Sequence, residues 1–336
     1  MNSDSVVLTE NCARLVLKTA DVLPQYLKCV LATDFLQKQI QLDSVQTTIS
    51  KLSLDRIKRL KIPIIPSLDI QNRIINDYQS ALAAKKAKEA EAKRLLASID
   101  GLVLARLGLE PPPPEDAALA RRLFYADSSQ LSGGRFDADA LNPIRLQSVN
   151  AVLSGKFPTE KLRHVAAFVK VQTDTKNANQ RYIGLENIAA NEGFYQPTNE
   201  VEEFGTANVF KRGQVLFPKL RPYLNKVYQA GFDGVCSTEF HVLDGKKVTN
   251  EFLAVFLRTG VVVAQTKRLQ TGNTLPRLQT KDVEDLLIPV PLLEIQEEIA
   301  AEVAALYARA QRLRAEGRAM LQRAKAETER LILGAA

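Results

Sequence analysis

The stretch "FPKLRPYLNK" (217–226) sets Lys219, Arg221 and Lys226 around Tyr223 and Asn225, with Pro218 and Pro222 limiting the freedom of the chain. Basic side chains neutralise phosphates, and arginine can also read a guanine edge through two hydrogen bonds. A proline-stiffened loop loses less conformational entropy when it docks. The pattern points to nucleic-acid recognition, with a solvated turn as the alternative. "KRLQTGNTLPRLQTKD" (267–282) adds Lys267, Arg268, Gln270, Thr271, Asn273, Thr274 and Arg277. Side chains of these types contact base edges and phosphates, although Asn273 and Thr274 are equally suited to cap the helix that follows. "TKNANQRYIGLENI" (175–188) supplies a third, weaker set: Asn177, Asn179, Gln180 and Arg181.

The residue types needed for catalysis do not assemble. There is no G-x-x-x-x-G-K-[ST] phosphate loop and no G-x-G-x-x-G before a helix. "NPIRL" (142–146) breaks after one proline, so the Asn/Asp-Pro-Pro-aromatic motif of amino-methyltransferases is missing. His164 and His241 are too few for a credible Ser/His/Asp set. Cys12, Cys29 and Cys236 form no Cys-x-x-Cys pair, which argues against a zinc site and for a reducing compartment. The expectation is a binding protein with no catalytic residues and no metal.

The bulk numbers agree. The chain has 336 residues, is 46% hydrophobic and 25% charged, and carries a net charge of +7. That is a globular composition long enough for two or three domains, with a mild bias towards a polyanionic partner. No run approaches the ~20 apolar residues of a membrane span. "MNSDSVVLTENCARL" lacks the basic-then-apolar order of a signal peptide. The expected location is the cytoplasm, with no membrane partner.

These residues are positioned by a duplicated framework. "QYLKCVLATDFLQKQIQ" (25–41) falls on "EFLAVFLRTGVVVAQTK" (251–267), and "TTISKLSLDRIKRLKIP" (47–63) on "NTLPRLQTKDVEDLLIP" (273–289), at a constant shift of 226. One extra residue in the first copy then brings Ile70-Gln71 onto Ile295-Gln296 and Ile74 onto Ile299. Each copy reads as helix, Thr-containing loop, short helix, Ile-Pro strand and long helix.

In the second long helix Ile299, Val303, Leu306, Ala310, Leu313, Gly317, Met320, Ala324 and Leu331 follow an alternating four–three spacing, the mark of a coiled-coil seam. In the first, from about Leu68 to Leu107, Ile74, Tyr78, Ala81, Ala92, Leu95, Ile99 and Leu102 hold the matching register, interrupted by Lys85 and Lys88. "EPPPPED" (110–116) stops it. Two such helices, each roughly 60 Å long at ~1.5 Å per residue, predict an antiparallel pair with globular parts at opposite ends. A parallel homodimeric coiled coil is the rival arrangement. Between them, "RYIGLENI", "GQVLFPKL", "KVYQAGF" and "EFHVLDG" are short strand-like runs, and helices are expected at "NEFLAVFLRT" and "QTKDVEDLL".

"VLFPKLRPYLNKVYQA" (215–230), "GVCSTEFHVL" (234–243), "GNTLPRLQTKDVEDLLIPVPLLEIQEEI" (272–299) and the helix after them resemble the DNA specificity subunits of type I restriction–modification systems. The Ile-Pro-x-Pro…Glu-Ile-Gln-x-x-Ile junction is the most specific piece. The resemblance implies an α+β fold: mixed α/β target-recognition domains on two long helices that pair as an antiparallel coiled coil. It implies residues 1–66 as the C-terminal remnant of a first recognition domain, 67–109 as a first spacer helix and 110–130 as a linker. A complete second recognition domain is implied over 131–290, and a second spacer helix over 291–334. It further implies a non-catalytic subunit that binds double-stranded DNA and docks modification (methyltransferase) subunits, which carry S-adenosylmethionine; restriction subunits then join. No cofactor is expected in this chain. The departure from the family is that residues 1–63 match only 227–289, so the basic loop occurs once. Two copies of the chain would then pair as a homodimer, each supplying one reading head. A specificity subunit of a type IIB system, or a scaffold that tethers or inhibits the modification subunit without reading DNA, are the alternatives.

Overall fold

The computed structural model describes residues 12–43, 52–114, 124–125, 139, 141–174, 180–198, 205–267, 269 and 276–334. In chain order, α1 (Pro24–Leu31), α2 (Asp34–Asp43), α3 (Leu54–Arg59) and the long α4 (Leu68–Leu107) lead to α5 (Pro143–Leu153). A mixed stretch follows, with β1 (Thr159–Lys161), α6 (Leu162–Val165), β2 (Ala166–Val169), β3 (Gln172–Thr173), β4 (Tyr182–Ile183), β5 (Ala207–Phe210), β6 (Val215–Pro218), β7 (Tyr228–Gln229), β8 (Gly234–Ser237) and β9 (Phe240–Gly245). Then come α7 (Asn250–Leu257), α8 (Gly260–Lys267), α9 (Thr280–Glu284), β10 (Leu287–Pro289) and the long α10 (Leu293–Leu333). The expected α+β class and both long helices are present. The chain forms two compact units, Met1–Arg94 with Arg309–Ala336, and Leu95–Ala308.

In the first unit α1 starts at Pro24, where the missing N–H of proline costs nothing. Tyr26, Val30 and Leu36 pack on Ile74, Ile75 and Tyr78 of α4, with Leu82, Leu321 and Leu331 completing the core. The two long helices run antiparallel here: Lys88 bonds Glu316, and Glu91 bonds Arg309. These ion pairs are half-exposed and each is worth under about 1 kcal/mol, but together they fix the register. Lys85 and Lys88, which break the apolar pattern of α4, have a structural reason. A Cβ on Gly317 would stand 3.3 Å from the Lys85 Cα, so the backbones meet where α10 has no side chain, and Lys88 reaches Glu316 one position away.

The second unit holds a four-stranded antiparallel sheet ordered β2-β9-β6-β7, a four-stranded mixed sheet ordered β3-β5-β8-β4, and the two-stranded β1-β10. Phe210, Leu216, Phe240 and Val242 fill one core. In the other, the almost wholly buried α7 packs with Val103, Leu104 and Leu107 of α4 and with Ile299 and Val303 of α10. Arg106 pairs with Glu298 and Glu302, again antiparallel. The unit thus takes in stretches of both helices, 95–107 and 293–308, beyond the 131–290 expected from sequence.

The duplication reaches the level of single hydrogen bonds. Gln71 is fully buried; its Oε1 accepts from the Leu23 N–H at 2.9 Å, and its Nε2 donates to the Asp21 and Ile65 carbonyls at 2.7 and 2.8 Å. Gln296 repeats this at the shifted positions, accepting from the Thr249 N–H and donating to the Lys247 and Pro291 carbonyls. Thr33 and Thr259 both bond the carbonyl three residues back. The start of α2 receives Glu329 Oε2 at the Phe35 N–H, and the start of α8 receives Asp100 Oδ1 at the Gly260 N–H. The far end of each long helix therefore caps a helix of the other copy.

One expected element is corrected. The Ile-Pro segment of the second copy is strand β10, paired residue for residue with β1. Its counterpart, residues 61–65, is not a strand. A β-strand exists through its partner's backbone groups, and among the described residues none pairs with 61–65; Gln39 instead brackets Lys61 through its carbonyl and N–H.

Replacing Gln296 with Leu leaves a backbone donor and two carbonyls without partners. This is expected to cost about 2–3 kcal/mol of stability, read as a lower midpoint in chemical denaturation; an unchanged midpoint would show that the amide does not secure the junction.

Candidate nucleic-acid interface

Strand β6 is buried along its whole length between β9 and β7, and releases the chain to the surface at Lys219. There the backbone is caught on two sides. The Lys219 N–H donates to the Glu239 carbonyl at 2.8 Å, the Leu278 N–H to the Lys219 carbonyl at 2.9 Å, and the Arg221 N–H to the Pro276 carbonyl at 2.9 Å. Leu220 and Arg277 form the bridge between the segments. Two of the three loops singled out by composition are thus joined, and Arg277 is held by two hydrogen bonds, of 2.7 and 3.0 Å, to the Glu239 carboxylate.

Beyond this ladder the loop is held in a strained form. Arg221 and Asn225 both sit at φ 49°, in the left-handed region, flanking a 3-10 turn over Pro222–Leu224. Such a conformation costs a non-glycine residue about 1–3 kcal/mol and persists only where its surroundings determine it. Pro222 is buried, while Arg221 and Tyr223 point to solvent. Lys219 is half-buried.

Asn225 and Lys226 differ from the sequence expectation. Asn225 is buried and donates through Nδ2 to the Arg258 carbonyl at 2.7 Å. Asparagine tolerates the left-handed region better than most residues, so its job here is to close the turn. The Lys226 Nζ donates to the Leu185 carbonyl at 2.7 Å. Both polar groups are used inside the fold because a buried donor without a partner is costly.

The other candidates are placed as follows. Arg181 is exposed, with its guanidinium 4.7 Å from the Phe232 ring centre, and Gln180 is half-buried just before it. Lys267 ends α8, half-buried. Arg268, Gln270, Thr271, Asn273 and Thr274 lie outside the described residues, as do Asn177 and Asn179.

Two residues behind the loop were not singled out from sequence. Arg258, at the end of the apolar run "NEFLAVFLR", lays its guanidinium 4.9 Å from the Tyr307 ring centre, and Phe194 meets the same ring edge-on at 5.2 Å. Burial pushes the Arg258 pKa down. A Cβ on Gly193, which has φ 64°, would fall 2.4 Å from an Arg258 Nη atom, so only glycine fits. Asn191, next in this turn, donates its N–H to the Leu224 carbonyl. Arg258 thus gathers the 222–225 turn, the 191–194 turn and α10. The signal was a single arginine closing an otherwise apolar helix. His241, on β9 opposite Phe217, meets Phe168 edge-on at 5.3 Å, and its Nε2 is buried without a partner. Burial, then Lys219 and Lys170, push its pKa down to about 4.

The result is an outward face of Lys219, Arg221 and Tyr223, with Arg277 beside it in its ion pair, on an α+β unit. It offers cationic and planar hydrogen-bonding groups and no nucleophile–base pair. Among the described residues no cluster of three His, Cys, Asp or Glu side chains could hold a metal, and no helix is long and apolar enough to cross a membrane.

Residues 159–318 match the family model described as the type I restriction modification DNA specificity domain. The match covers just under half of the chain. The type I restriction enzyme EcoDI specificity subunit of Escherichia coli is 30% identical over 124 residues, 37% of this chain and 28% of that protein. The matched region thus spans under a third of that relative's length. The crystal structure of the HsdS subunit from Thermoanaerobacter tengcongensis aligns with 94% of this chain and 71% of its own, at 14% identity and a TM-score of 0.40. The type I system S subunit from M. genitalium aligns with 93% and 72%, at 14% identity and a TM-score of 0.48.

The His241 pKa generates a pH prediction. With a folded value near 4 against an ordinary 6.5, the unfolded chain binds the proton more readily. Stability is then complete above pH 6.5 and declines as pH falls towards 4, by about 1.4 kcal/mol per unit at most. In His241→Phe, melting temperature is expected to fall less steeply over this window; superimposable profiles would clear His241.

Proposed function

We propose that this chain is a DNA specificity component of a type I restriction–modification enzyme, non-catalytic, whose unit Leu95–Ala308 reads one half of a bipartite duplex target. The observation that carries the reading is the fusion of residues 219–221 with 276–278, which holds Arg221 outward on a fixed backbone inside the stretch shared with the specificity domain. A guanidinium held in place is suited to bidentate contact with a guanine edge, and Lys219 to phosphate. The long helices dock modification subunits, which hold S-adenosylmethionine, and restriction subunits join through them; the whole acts in the cytoplasm.

Arg221→Ala is expected to cost about 1–3 kcal/mol in DNA affinity and to relax preference at one base position, read by selection from a random duplex library with the cognate modification subunit present. Unchanged binding and preference would remove Arg221 from the interface.

We further propose that two copies pair, each supplying one reading head, so that the target is palindromic. Supporting this, residues 61–65 have no strand partner among the described residues, and Ile64 within them and Leu54 of α3 are 57% and 65% exposed. Sedimentation at micromolar concentration is expected to show a dimer; a monomer both with and without the modification subunit would count against pairing.

A further inference from the structure

In the first unit each helix of the antiparallel pair has a buried seam: Ala92 and half-buried Lys85 on α4, and Ala310, Gly317 and half-buried Ala324 on α10. One residue before a seam position lie Glu91, Arg309 and Glu316, on one side of the pair. On that side charges are matched across the helices, Glu91 with Arg309 and Glu316 with Lys88. One residue after a seam position lie Lys86, Lys93, Arg318 and Lys325. Each step of one residue turns about 100° in the same hand. In antiparallel helices that face each other, the same turn leads to the same side, so these four share the opposite side of the pair. Lys86, Lys93 and Arg318 are exposed and Lys325 is half-buried. None of the four has an ion pair or hydrogen bond among the described residues.

The spacing is regular. Lys86 and Lys93 are one heptad apart, as are Arg318 and Lys325, about 10 Å for each pair at ~1.5 Å per residue. Lys85 lies against Gly317, so Lys86 and Arg318 stand nearly level and the row is roughly 20 Å long. On the α4 side of this face Asn72, Asn76 and Gln79 are exposed amides. A row of cations about 20 Å long that crosses from α4 to α10, on a side whose Glu89 is paired with Lys85, suits a partner with anionic charge at regular short intervals; duplex DNA carries one phosphate charge per ~1.7 Å.

We propose that this stripe is a second, sequence-independent DNA contact, along which the phosphate backbone outside the recognised bases lies. It rests on the DNA-specificity reading above. Its role is affinity: it adds counterion release and no base preference.

The test is a variant with Lys86, Lys93, Arg318 and Lys325 all changed to Gln, a residue that keeps helix propensity, beside a control in which Arg312 and Arg323, elsewhere on α10, are changed to Gln. Binding to duplexes is titrated against salt with the modification subunit present. The stripe variant is expected to bind every duplex more weakly, to select the same motif as the parent, and to lose about two to four from the slope of log affinity against log salt. The control is expected to lose markedly less. A stripe variant with the parental slope and affinity overturns this proposal alone. So does an equal loss per charge in the control, or a variant that loses the modification subunit while keeping its DNA affinity, which would make the face a protein dock. A parent chain that binds no duplex overturns both this proposal and the function on which it rests.

Discussion

Each long helix of this chain leaves its globular unit past a buried glutamine. A long helix can only carry a globular unit in a defined direction if its first turn is fixed to that unit. Gln71 and Gln296 do this with three hydrogen bonds each, from a side chain that is almost fully sequestered. A primary amide suits the place because it accepts on one arm and donates twice on the other. The N–H it receives opens a helix of the unit (α1 or α7), and the carbonyls it binds come from the turn before that helix and from the chain entering the long helix. Three segments are therefore tied at one point, and the directions of α4 and α10 follow from it.

The Lys219–Arg221–Tyr223 face depends on the same kind of over-determination at smaller scale. Two left-handed residues flanking one short turn would relax in an isolated peptide. Here the Arg221 N–H is taken by Pro276, the Asn225 amide by Arg258, and Lys226 by Leu185, so the turn has no cheaper conformation to reach. Arg258 is the keystone, since its carbonyl holds Asn225 while its guanidinium lies on Tyr307 of α10. Side chains that point to solvent are few, and most polar groups of the loop are committed to holding those few still. Rigid presentation of this kind limits the entropy lost on docking.

What could be read from sequence follows from what is local. The long helices were legible because a four–three apolar spacing has one structural meaning over forty residues, and the observed bounds Leu68–Leu107 fall where the pattern stops. The lysines that interrupt it were legible as exceptions but not as contacts, because Gly317 and Glu316 lie over two hundred residues away. The Ile-Pro segment at 61–65 looked like its twin at 287–289, yet strand formation is decided by a partner, and β1 belongs to one copy. Asn225 and Lys226 had the right chemistry for a ligand; burial, which composition does not report, turned them inward. Arg258 lacked any motif, since its role comes from two turns and α10 meeting in space.

The order of the chain and the order of its cores do not agree. The first unit draws Leu321, Leu331 and Ile332 from the end of α10. During synthesis its α1, α2 and α4 segments precede the α10 residues that complete their core by more than two hundred residues, and the whole of Leu95–Ala308 is made in between. Of the two units, the one begun earlier is thus the one completed later. Its apolar surface stays uncovered while the other unit is made, a window in which chaperones, or a second nascent copy, have access to it.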